Sequence, residues 1–153
     1  MSTGAIHLAD AAATEQAGQA LAEALRPGDV VALSGDLGAG KTTFARGVLA
    51  ALGLEGEAPS PSFALVIAYA ADELRLPLWH VDLYRIEEGE ELNELGLDDA
   101  RAEAALLIEW PERMGARLWS DALRLVMVEE QAGGRRLTWD APPSWEGRWP
   151  PAQ

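Results

Sequence analysis

The stretch that most narrows the possible folds is a glycine-rich segment set between two apolar ones. Val30-Val31-Ala32-Leu33 is an unbroken apolar run, the pattern of a strand covered on both faces. Glycines follow at once. Thr42–Leu52 then carries a helical pattern that ends at Gly53,. Between them Gly35-Asp36-Leu37-Gly38-Ala39-Gly40-Lys41-Thr42 matches G-x-x-x-x-G-K-[ST],. The spacing has a chemical reason. Glycines let successive backbone N–H groups turn toward one centre and wrap a phosphate, and the following helix offers its N-terminus to the same anion. Lys41 reaches the β- and γ-phosphates, and the Thr42 hydroxyl binds Mg²⁺. Strand, loop and helix in this order predict a phosphate-binding loop in an α/β domain.

Composition sharpens the reading. The chain has 153 residues, a net charge of -13, no cysteine, and one lysine beside eleven arginines. That single lysine is Lys41, where the motif requires it. Without cysteine there are no disulfides, thiolate metal sites or cysteine nucleophiles. The acidity opposes broad contact with nucleic-acid phosphates or anionic membranes, so neither DNA nor a membrane is expected as a partner. No apolar run approaches the ~18 residues of a membrane helix, and Met1–Asp10 lacks the basic start of a signal peptide,. A cytoplasmic protein is expected. Guanine-specific P-loop proteins usually read their base with Asn-Lys-x-Asp. That segment needs a second lysine, so adenine nucleotides are favoured by elimination.

The remaining pattern predicts one domain over residues 1–140 and a tail, 141–153, rich in proline and tryptophan. After a short apolar start at Ala5–Leu8, Asp10 is placed to cap a helix over Ala11–Leu25,. Phe63–Ala70 and Leu76–Val81 read as strands joined through Asp72-Glu73, and Ala104–Ile108 as a short buried strand,. Leu123–Val128 and Arg135–Trp139 flank Gly133-Gly134 as a hairpin,. The runs at Val30, Leu78 and Ala105 would form the parallel centre, with antiparallel strands added by the hairpins. The expected fold is thus a P-loop NTPase-like three-layer α/β domain with a mixed, centrally parallel sheet. Glu87–Glu103 holds eight acids and one base. It reads as a solvated face over short helices, with Leu92, Leu95 and Leu97 turned inward; the functional alternative is a docking surface for a basic patch. The tail reads as either docked or mobile.

A nucleotide loop needs acids for its metal and its water, and a parallel sheet supplies them at the carboxyl ends of strands. Asp82 ends the run Leu78–Val81 and Glu109 ends Ala105–Ile108. Either could hold Mg²⁺ while the other orients or deprotonates water. Trp110 is the tryptophan best placed to line the site. His7 and His80 have no metal-ligand companions and read as ordinary residues, His80 within its strand.

Taken in order, Gly35–Thr43, Ser60-Pro61-Ser62-Phe63, Asp82-Leu83-Tyr84-Arg85, Glu91-Leu92 with Leu95-Gly96, and Glu109-Trp110-Pro111-Glu112-Arg113 closely resemble the TsaE family. This is the ATPase of bacterial tRNA threonylcarbamoyladenosine biosynthesis. The resemblance covers Asp10 to about Leu137. It implies a small P-loop ATPase, weak alone, that works with TsaB and TsaD and meets tRNA only through that complex, its ATP hydrolysis supporting turnover. It implies Mg²⁺ at Thr42 and Glu109, with Asp82 as a second acid. It further implies nucleotide contacts from the loop through Thr43, a switch-like loop at Ser60–Ser62, and Arg135 near the nucleotide. Ser62 stands where the family usually has threonine; it keeps the hydroxyl and loses some χ1 stiffness. Two other classes remain open at this point. One is a small-metabolite kinase, with Arg113, Arg117 and Arg124 as a short lid. The other is an adaptor that binds nucleotide without hydrolysing it.

Overall fold

The computed structural model describes residues 2–36, 40–56, 58, 61 and 65–151. The chain begins with strand β1 (Ser2–Leu8), helix α1 (Ala11–Ala24), strand β2 (Val30–Ser34) and helix α2 (Lys41–Ala51). Strands β3 (Val66–Tyr69) and β4 (Leu78–Asp82) follow, then the short helices α3 (Gly89–Glu94) and α4 (Leu97–Arg101). Strand β5 (Ala105–Glu109) leads into a 3₁₀ segment, Pro111–Arg117, and strands β6 (Leu123–Glu129) and β7 (Arg135–Ala141) close the sheet. Its order is β1-β7-β6-β2-β5-β4-β3. β4, β5, β2 and β6 run parallel; β3, β7 and β1 are antiparallel to their neighbours. A mixed sheet with a parallel centre is therefore present.

Two features differ from the sequence reading. β6 belongs to the parallel centre through β2 as well as to its hairpin with β7, because a non-local pairing leaves no local mark. The chain start is a full seven-residue strand on β7. It was legible only as Ala5–Leu8 because Ser2, Thr3 and Gly4 show no apolar alternation. The start of the Phe63–Ala70 strand, at Phe63 and Ala64, lies outside the described residues.

One face of the sheet is packed along its length. Leu33, Leu78, Leu107, Leu125 and Leu137 meet Leu21, Phe44 and Val48 of the two long helices. Asp10 caps α1 as expected, its carboxylate accepting from the Ala13 N–H at 2.9 Å,. The tail is docked. Trp145 and Trp149 join this core, and Trp149 meets Trp139 edge to face at 5.8 Å,. Arg148 lies 4.3 Å from the Trp145 ring centroid, donates to Ala24 O at 2.7 Å and pairs with Asp29.

Among the described residues the opposite face is covered over β4, β5 and β2. There Val81, Leu106, Ile108 and Val30 pack against Leu92, Leu97 and Met114. Leu95 packs against this cluster, half-buried. Over β6 the described residues give less cover, and Val126 and Val128 are 38% and 51% exposed. The acids of residues 87–103 stand exposed or half-exposed over the covered half.

Helices α1 and α2 touch backbone to backbone. A Cβ on Gly18 would stand 2.2 Å from Phe44 O, and one on Gly47 would stand 2.2 Å from Glu15 O. Nothing there is a flexible side chain that could move aside. Alanine at either site improves helix propensity by about 1 kcal/mol, yet must push the helices apart, and overpacking costs about 1–3 kcal/mol. Gly18→Ala and Gly47→Ala are each expected to lower the urea-unfolding midpoint. A midpoint equal to the parent's would show that this approach is not fixed.

Candidate functional site

The carboxyl ends of β2, β5 and β4 lie side by side. Leu33 pairs with Glu109 across β2 and β5, and Asp82 pairs with Glu109 across β4 and β5. Directly opposed residues share a face, so both acids stand on the side where α2 lies. Both are buried, Asp82 at 7% exposure and Glu109 at 5%. Asp82 accepts from the Tyr84 N–H at 2.9 Å, an Asx-type contact that ties its carboxylate to the next turn.

Lys41 opens α2 and is itself only 5% exposed. Its Nζ donates to Gly35 O at 2.6 Å and sits 3.9 Å from the Trp110 ring centroid, a cation–π contact. Burial pushes the Lys41 ammonium below its ordinary value. Glu109, then Asp82, Glu112 and Asp36, oppose that shift through their charge,. The acids thus face the lysine electrostatically. Gly40 precedes it at φ 103, and a Cβ there would meet the Met127 methyl at 3.1 Å; the left-handed backbone favours glycine. Thr42, the next helical residue, is exposed, and Thr43 is half-buried.

Trp110 follows Glu109 in a left-handed conformation, φ 58 and ψ 48, which is rare for a bulky side chain. This turn reverses the chain out of β5 and lays the indole over Lys41. Tyr84 packs against it with ring centroids 4.8 Å apart. On another flank, Arg135 borders Gly40, with its Cγ and Nε each 3.6 Å from a Cβ built there. Asp10, Thr14, Gly40, Thr43, Gly134 and Arg135 line a cleft of about 150 Å³ beside the first turn of α2.

The structure therefore gathers Gly35, Gly40, Lys41, Glu109, Asp82 and Trp110 at one end of the sheet, with Thr42 and Thr43 on the adjoining turn and Arg135 alongside. Asp36 is exposed and acts on Lys41 only by charge. The expected contacts at Leu37, Gly38, Ala39 and Ser62 lie outside the described residues, as does Ser60 of the switch-like loop. Arg117 of the imagined lid is held elsewhere, donating to Gly89 O. One residue of the site was not foreseen. His80 is buried on β4 and its Nε2 lies 2.6 Å from Glu109 Oε2. The spacing His80-x-Asp82 carried the signal, since alternate residues of a strand share a face.

In chemical terms, a cation at a helix start faces two buried carboxylates beside an exposed hydroxyl. Asp82, Glu109 and Thr42 offer oxygen ligands, which suit a hard divalent cation such as Mg²⁺, with His80 engaged by Glu109,. No group of three or more His, Cys, Asp or Glu converges as a metal site of its own among the described residues. Nor is any helix among them long and apolar enough to cross a membrane.

Comparison with known proteins places the chain in a family. The profile of the family described as "Threonylcarbamoyl adenosine biosynthesis protein TsaE" matches residues 8–137. The tRNA threonylcarbamoyladenosine biosynthesis protein TsaE of Streptomyces coelicolor is 42% identical over 109 residues, 71% of this chain and 74% of that protein. The protein of the same description from Bacillus subtilis is 38% identical over 117 residues, 76% of this chain and 72% of that one. The crystal structure of Bacillus subtilis YdiB superposes with a TM-score of 0.79 at 28% identity, over 95% of this chain and 90% of that one.

The Lys41 shift has a consequence for stability. The folded chain holds this proton less tightly than the unfolded chain does. The charged lysine therefore costs stability at neutral pH, and the cost fades as pH rises toward lysine's ordinary 10.5,. Lys41→Met is expected to melt no lower than the parent at pH 7, with any gain shrinking at higher pH. A variant that melts well below the parent would show that the ammonium stabilises the fold.

Proposed function

The chain belongs to the TsaE family, so it serves tRNA threonylcarbamoyladenosine biosynthesis, and from that premise we propose that it is a Mg²⁺-dependent ATPase. Its hydrolysis of ATP would support turnover of a TsaB–TsaD complex in the cytoplasm, with tRNA met through those partners. The observation that carries this reading is the single lysine of the chain, buried at the start of α2 and facing carboxylates from two parallel strand ends.

The loop amides and Lys41 hold the β- and γ-phosphates. Thr42 with Glu109 or Asp82 holds Mg²⁺, which when bound neutralises charge on the phosphoryl oxygens. The acid that does not touch the metal orients or deprotonates the attacking water for in-line displacement. For its ammonium to reach a phosphate, Lys41 exchanges the Gly35 carbonyl for a phosphate oxygen. Trp110 then covers the charge from the side and keeps water off it. The cleft between Thr43, Gly134 and Arg135 would take part of the nucleotide, with Arg135 near it. Gly133-Gly134 and Arg135 are thus read as part of the nucleotide site.

The test is phosphate release from ATP with and without the two partner proteins and tRNA. Release is expected to rise with both partners present. It should be abolished by Lys41→Ala and fall about 100-fold or more with Glu109→Ala, the usual effect of losing a positioned acid or base. Arg135→Ala should weaken ATP binding about tenfold, the loss of one charge-assisted hydrogen bond. Unchanged turnover in Lys41→Ala would overturn the assignment. Transfer of label to a small-molecule acceptor would make the protein a kinase. Binding with no release, even beside both partners, would make it an adaptor.

A further inference from the structure

The geometry points to His80 as a positioning residue that fixes the Glu109 carboxylate for Mg²⁺–ATP; this rests on the reading of Glu109 given above. His80 Nε2 and Glu109 Oε2 are 2.6 Å apart, and the two side chains are 3% and 7% exposed. The sheet register explains why they meet. His80 pairs with Leu107 and Asp82 with Glu109, so His80 and Glu109 are diagonal neighbours on one face of adjacent parallel strands. An imidazole spans that diagonal, and an aliphatic side chain would leave the carboxylate without the bond.

An ionised carboxylate only accepts, so the hydrogen of this contact is the one on Nε2. Among the described residues Nδ1 has no hydrogen-bond partner. The ring's polar contact is therefore with Glu109 alone. The donor fixes one carboxylate oxygen in the plane of the imidazole and leaves the other oxygen directed by that choice. Asp82 is fixed in a parallel way by the Tyr84 N–H. Each acid of the site thus has one oxygen tied to the protein before any ligand arrives. A buried glutamate has three rotatable side-chain bonds; holding it in one rotamer removes an ordering cost from ligand binding. Partners of this kind, one step behind a metal-binding group, typically change metal affinity or activity 10–100-fold when removed.

The test compares His80→Phe, which keeps a planar ring without a donor, with His80→Gln, whose amide nitrogen reaches the place of Nε2. Binding of a fluorescent ATP analogue is measured with Mg²⁺ and with EDTA, alongside melting temperature and ATP turnover. Wild type should bind the analogue more tightly with Mg²⁺. In His80→Phe that gain should fall about tenfold while affinity in EDTA stays at the wild-type level, and His80→Gln should recover most of it. In a Glu109→Gln background, His80→Phe should change Mg²⁺-dependent binding little, because the group it acts through is gone. Should His80→Phe fail to fold, His80→Asn, which stays polar and falls short of Glu109, takes its place. Wild-type Mg²⁺ dependence in the donor-less variants, no recovery with glutamine, or an undiminished effect in the Glu109→Gln background would each overturn the role of His80 while leaving the ATPase reading intact. A wild-type chain that binds no nucleotide would overturn both.

Discussion

Lys41 places an ammonium where water scarcely reaches it, and the surroundings are organised around that fact. A buried cation is tolerated only when paired and hydrogen-bonded. Gly35 O takes one hydrogen, the Trp110 ring takes the charge from the side, and four acids contribute through the field. Burial still dominates, so the balance is incomplete. The position of Lys41 follows from the start of α2. That start is fixed on one side by the left-handed turn at Gly40 and on the other by the contact of Gly47 with α1. The two long helices could not approach so closely with any side chain at Gly18 or Gly47.

The two faces of the sheet divide the work. The α1–α2 face runs unbroken from β1 to β4 and receives the docked tail, so most of the apolar packing lies there. It also holds the two buried acids, because Asp82, Glu109 and His80 continue the alternation of Leu78, Ala105 and Leu107 toward that side. Among the described residues the other face is covered largely by segments that leave the ends of β4 and β5, with Leu65 beside them. These segments begin with Tyr84 and Trp110, whose rings touch each other. The cover of that half-face and the roof of the site are therefore made of the same chain.

How much of this was legible depended on whether the signal was local. The apolar run at Val30–Leu33, the cap at Asp10 and the two hairpins each carry their pattern within a few residues, and the structure contains them. Asp82 and Glu109 were found as the residues that end apolar runs, a rule about parallel sheets rather than about these residues. The missing parts all depend on register between distant segments. His80 could be seen as a strand residue, but its bond to Glu109 requires β4 and β5 to be aligned as they are. The parallel pairing of β6 with β2 joins segments far apart in the chain, and β1 is held by its pairing with β7 more than by its own polar sequence. Nor does a sequence say which glycines are close approaches: Gly18 and Gly47 look like ordinary helix interruptions until the helices are placed together.

Charge adds a last constraint. Several of the eleven arginines bond main-chain carbonyls: Arg75 to Ala22 O, Arg101 to Gly28 O, Arg117 to Gly89 O and Arg148 to Ala24 O. Their positive charge serves to hold turns and helix ends. The acids between Glu87 and Glu103 stand exposed or half-exposed, so the distant field is negative while Lys41 is a single buried cation at the loop end of the sheet. A long polyanion is repelled before it can find the one buried ammonium. A small anion is repelled less, and a nucleotide already carrying Mg²⁺ has lost two of its negative charges before it meets that field. Under the ATPase reading, acidity and a phosphate site are therefore compatible: the field disfavours bare polyanions at long range, and Lys41, Thr42 and the two acids accept a metal-neutralised triphosphate at short range.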